Sequence, residues 1–139
     1  MSITWTISHP LRLVIATGKG EATSADFLFY LDEIAKAGAI PYRKLLDLTN
    51  VGIPMSQADI RRVGRHYANL ADKKLVGPSA IVVTSDAFAN LVKIFDAATK
   101  AERPLKIFRD LRAARAWLDE VAPVAAPRPF ALAPPKALG

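Results

Sequence analysis

The segment Asp47-Leu48-Thr49-Asn50-Val51-Gly52-Ile53-Pro54-Met55-Ser56 gathers the residues best placed for chemistry. It follows an apolar run and precedes a helical pattern, and open parallel sheets bind ligands at such points, beyond the carboxyl ends of their strands. A helix N-terminus contributes free N–H groups and the positive end of a dipole, which suit an anion. Ser56 stands there, within reach of a phosphate that is bound or covalently attached, and Asp47, Thr49 and Asn50 add polar groups. The plainer reading of Ser56-Gln57-Ala58-Asp59 is a capping box, in which serine and carboxylate satisfy the first free amides of a helix. A cap and a phosphorylation site are compatible.

Two further groups point the same way. Ser85 and Asp86 follow a later apolar run, and Arg109 and Asp110 follow the last one, so all four belong to the same sheet edge as Ser56. They could line a small pocket, and they are also what helix N-caps require. Arg62, Arg65, His66, Asn69 and Lys73 recur at helical spacing opposite Ile60, Val63, Tyr67 and Leu70. That basic face suits an acidic partner, an anionic ligand or lipid head groups, or simply water. No serine, cysteine or carboxylate is placed beside His66 by sequence. Gly18-Lys19-Gly20 lacks the spacing of a phosphate loop and reads as a turn.

Composition removes several kinds of chemistry. The chain has no cysteine, hence no disulfide, thiolate nucleophile or cysteine-held metal. With His9 and His66 the only imidazoles and no carboxylate cluster, the sequence implies neither a metal nor another cofactor. Its 19 basic and 13 acidic residues leave a charge of +6, but the cations are scattered, so nucleic acid is not the expected partner. No apolar run nears the ~20 residues of a membrane span, and the N-terminus does not read as a secretory signal. The expected location is the cytoplasm, and no nucleophile–base or paired-carboxylate set argues for an enzyme.

The elements that must position these residues follow from periodicity. Ile3 to Ser8 alternates apolar and polar, and after the break at His9-Pro10 a second strand runs from Leu11 to Thr17, close enough to be antiparallel. Thr23 opens a helix that ends at Gly38. Strands at Lys44 to Thr49, Ala80 to Thr84 and Leu105 to Arg109 then alternate with helices at Ser56 to Asp72, Asp86 to Lys100 and Asp110 to Val121. The order β-β-α-β-α-β-α-β-α predicts an α/β domain over residues 1–121, a mostly parallel open sheet of about five strands with four helices. Residues 122–139, rich in proline and alanine, read as a disordered tail. Phe29 falls off the apolar stripe of its helix, a hint of a protein partner or a homodimer.

The β-β-α opening, the strand ending Leu45-Leu46-Asp47-Leu48-Thr49, the run Ala80-Ile81-Val82-Val83-Thr84 and the closing Pro104-Leu105-Lys106-Ile107-Phe108-Arg109 together resemble SpoIIAA-like domains. These belong to the STAS group of anti-sigma-factor antagonists and sulfate-transporter tails and are similar to the lipid-carrying CRAL-TRIO fold. The resemblance implies a regulatory or protein-interaction domain without enzymatic activity, and an Asp-Ser-Ser-Gly loop whose second serine is phosphorylated. Only Ser56 stands for that serine here, without the neighbouring serine and glycine. The alternative it implies is a small-ligand or lipid carrier. An interaction module would be close-packed, whereas a carrier would hold a cavity of ~300 Å³ or more between helices and sheet.

Overall fold

The computed structural model describes residues 2–71 and 76–121, and the expected tail lies outside them. Strand β1 (Ile3–Ser8) pairs antiparallel with β2 (Leu13–Glu21), and β3 (Arg43–Gly52), β4 (Ser79–Val82) and β5 (Leu105–Phe108) extend the sheet in parallel, in the order β1-β2-β3-β4-β5. The helices are α1 (Ser24–Lys36), α2 (Gln57–Leu70), α3 (Asp86–Thr99) and α4 (Leu111–Val121). Spatial order equals chain order, so each right-handed crossover leaves its helix on the same face of the sheet. Hence α1, α2 and α3 share one core with Val14, Ala16, Leu48 and Ile81. Helix α4 comes after the last strand and packs Ala114 and Leu118 on Leu13, Leu45, Ala80 and Val82 of the other face. Strand β4 is buried on both faces, as its unbroken apolar run requires.

Several boundaries differ from the periodic reading. Arg12 adopts a left-handed φ of 50° and donates its N–H to His9 O at 3.2 Å, so the turn absorbs Leu11 and β2 begins at Leu13. Gly18-Lys19-Gly20 is not a turn but the continuation of β2, paired with β3 as far as Gly52. The register passes from Thr17↔Asp47 to Lys19↔Asn50, a bulge with its extra residue on β3. Gly18 makes this possible, since a Cβ there would lie 2.8 Å from Val51 Cβ, which the bulge turns onto the core. Strand β4 stops at Val82, and Lys100 leaves α3 with a φ of 54°. Helix α2 ends at Leu70, two residues before the expected Asp72, which lies outside the described residues together with Lys73.

Candidate functional site

Ser56 is the N-cap of α2, and both halves of the box are present: Asp59 N donates to Ser56 Oγ at 3.1 Å, and Ser56 N donates to Asp59 Oδ2 at 3.3 Å. Arg62 closes on the same carboxylate at 2.5 Å, and this contact, with the Ser56 bonds, holds Asp59 below the usual carboxylate range. Ser85 caps α3 by accepting from Phe88 N at 3.2 Å, while Asp86 pairs with Arg109 across the helix-strand edge. Asp47 accepts from both Thr49 N, at 3.0 Å, and Thr49 Oγ1, at 2.6 Å.

These residues do not converge. Leu46 and Leu48 face α1–α3, so Asp47 between them projects from the face that carries α4, away from Ser56. Asn50 is exposed beyond the bulge, and Arg65 is exposed on α2. The cations at the edge, Arg62 and Arg109, are already matched by Asp59 and Asp86. His66 does have a carboxylate beside it, contrary to the expectation from sequence: Asp32 of α1 lies 2.7 Å from its Nε2 and ties α1 to α2.

An apolar concave feature lies under the helices instead. A cleft opens between α1, α2, α3 and the sheet, walled by Phe27 and Tyr30 from α1, Val63 from α2, Phe88 and Leu91 from α3, and Leu48 from β3. Ile53 and Met55, in the loop that sequence singled out for its polar groups, also line it. The room enclosed by its walls is about 70 Å³. That enclosed room is well below the ~300 Å³ that a ligand carrier requires, so the core here is close-packed. Tyr30 is the one titratable residue on the walls.

The core also holds four polar side chains that periodicity hid. Lys44 is 3% exposed and donates Nζ to the carbonyls of Ile40 and Tyr42, the latter at 2.8 Å. Burial, with Arg103 nearby, brings its pKa down to about 7. The Arg103 side chain is 1% exposed, with Nη1 2.6 Å from Asp96 Oδ1. Tyr30 and Tyr67 are each 2% exposed, and burial raises both phenols, Tyr67 to about 12 and Tyr30 further. Among the described residues Tyr30 OH, Tyr67 OH and Arg103 Nε have no hydrogen-bond partner. Sequence carried little signal for them: Tyr67 lies on the core-facing stripe of α2 and reads as apolar surface, and Tyr30 falls outside the apolar stripe read for α1.

A crystal structure of an uncharacterized protein from the DUF3478 family with a SpoIIAA-like fold, from Shewanella loihica PV-4, matches this chain with a TM-score of 0.56. The likeness covers 84% of this chain and 94% of that one. The fold is SpoIIAA-like. At 19% identity the match carries the architecture and no residue's role. No family model matches the sequence, and no curated protein does. No helix among the described residues is long and apolar enough to cross a membrane.

Proposed function

We propose that this SpoIIAA-like domain works by binding rather than catalysis, and that an apolar group docks at the mouth of the cleft under α1, α2 and α3, whose enclosed room of about 70 Å³ is too small to engulf a ligand. The observation that carries the reading is the cleft itself, whose walls are aliphatic and aromatic from three helices and two strands. Its lining offers dispersion contacts and water exclusion and carries no histidine, carboxylate or lysine. The polar residues at the strand ends serve as caps and ion pairs, which favours an apolar contact over a sensor of anions at that edge.

Titration with a neutral apolar dye that brightens out of water tests the proposal, together with native mass spectrometry of the same preparation. One saturable site per chain is expected, weakened at least tenfold by Leu91→Trp, which fills the cleft at α3 with a ring. Unsaturable dye binding, or equal affinity in the variant, would refute it. A second reading adds a partner. Phe29 is 47% exposed on α1 and leans on Trp5 at 6.0 Å between ring centroids, beside β1, the edge of the sheet. This apolar edge suits a second copy of the chain. The mass spectrum reports the subunit count directly, and a monomer at micromolar concentration would count against it.

A further inference from the structure

The sheet ends in two strands, β1 and β5, and its two edges are built differently. Strand β5 has 4 residues, follows Pro104, carries the exposed Lys106 and stops just before Arg109. Shortness, proline and charge are what keep an edge from pairing with a neighbouring chain. Strand β1 has none of these guards. Its 6 residues, Ile3 to Ser8, include no proline and no charged side chain. Its register with β2 runs unbroken from Ile3↔Gly18 to Ser8↔Leu13, so no bulge turns the edge aside. Lys19 N donates to Ser2 O at 2.8 Å, one step before that ladder. Hydrogen-bonded pairs alternate along an antiparallel ladder, so Thr4, Thr6 and Ser8 bond β2 while Ile3, Trp5 and Ile7 turn their N–H and C=O groups outward. Ile3 is buried, but Trp5 and Ile7 are only partly covered. On α1, Asp26 and Glu33 share the Phe29 face, and both are matched: Asp26 accepts from Ser2 Oγ at 2.6 Å, and Glu33 pairs with Lys36 at 3.1 Å.

We propose that β1 pairs antiparallel with β1 of a second copy of the chain, across a two-fold axis at Thr6, so that two sheets become one. The inference rests on the second-copy reading and gives it a register. A two-fold that uses the outward groups of both Trp5 and Ile7 sets Trp5 against Ile7 of the second copy, each pair exchanging both backbone hydrogen bonds. Thr6 then faces Thr6 of the second copy in a non-hydrogen-bonded pair, where side chains come closest. On the helix-bearing face, Ile7 of the second copy arrives beside Trp5, against which the exposed Phe29 leans. The edge suits its own copy for two reasons. Antiparallel pairing about a two-fold matches donor to acceptor on both sides of the axis. An uncharged strand also meets itself without repulsion, although the whole chain carries +6.

Light scattering on the full chain, with native mass spectrometry of mixtures, tests this on wild type, Thr6→Lys and Thr6→Glu. Thr6 is exposed on the face away from Trp5, so both variants should keep the wild-type circular dichroism. The wild type is expected to be a dimer. Each variant alone sets like charges opposite one another and should dimerise at least about tenfold more weakly. Mixed in equal amounts, with one of them isotope-labelled, the two variants should form mixed dimers in excess of either homodimer. Amide exchange gives a second readout: the Trp5 and Ile7 amides should be protected in the wild-type dimer and exchange freely in each variant alone. If the variants dimerise as tightly as wild type, the strand pairing is overturned while the second-copy reading stands through Phe29. Folded variants that dissociate but do not recombine overturn the pairing as well. Should a charge at Thr6 unfold the chain, exchange in the wild type decides, and unprotected Trp5 and Ile7 amides in a dimer refute the pairing. A wild type that is monomeric at micromolar concentration overturns both.

Discussion

Ser56 shows how one side chain can answer two readings at once. Its hydroxyl accepts from Asp59 N and its own amide is satisfied by the Asp59 carboxylate, so the structural role is filled on both sides. Ser56→Ala removes one of these bonds and should cost about 1 kcal/mol by urea denaturation. Aspartate caps a helix as well as serine does, and Arg62 stands by to offset the added charge near Asp59, so Ser56→Asp should fall within about 0.5 kcal/mol of wild type. A loss as large as alanine's would show that Asp59 repels any second carboxylate there. The cap was legible because its partner lies three residues away in sequence. Asp32 beside His66 was not, since that pair joins α1 to α2 across 34 residues.

At the scale of elements, α2 and α3 come closest at Gly64. A Cβ built there would lie 2.6 Å from Ala98 Cβ and 2.8 Å from Phe95 O, neither of which can swing aside. Alanine is the better helix former by about 1 kcal/mol, but overpacking a rigid contact costs about 1–3 kcal/mol. Gly64→Ala should therefore lose up to about 2 kcal/mol net, read as a lowered urea midpoint with unchanged helical circular dichroism. A gain in stability would mean that α2 slides freely on α3. Neither this contact nor the bulge could be read from local pattern. Gly18 and Gly20 punctuate a strand as they would punctuate a turn, and what decides between them is Val51, arriving from β3. By contrast, the starts of α1, α2 and α3 were legible from Thr23, Ser56 and Ser85, because caps are local chemistry.

For the whole molecule, the alternation of strands and helices foretold the sheet and its parallel part, since short crossovers of one hand admit few arrangements. It did not foretell the cleft, which depends on how far three helices stand from the sheet, nor which of the polar residues share a face. It also concealed Lys44, a lysine at a strand start that reads as solvent-facing and lies in the core. That residue makes global stability depend on pH in a definite direction. Lys44 holds a proton in the unfolded chain up to about pH 10.4, whereas in the fold its pKa is about 7. Between those values the unfolded state binds more protons, so stability rises with pH across that window. The tyrosines act in the opposite sense. Unfolded Tyr30 and Tyr67 ionise near pH 10, but in the fold Tyr67 keeps its proton to about 12 and Tyr30 beyond that, so stability falls above pH 10. Urea midpoints at pH 7, 8.5, 10 and 11 should climb and then drop. In Lys44→Met, which keeps the length and loses the titrating group, the climb should flatten while the drop remains. A wild-type profile level from pH 7 to 9.5 would mean that Lys44 keeps its proton in the fold, with the Ile40 and Tyr42 carbonyls compensating its charge in full.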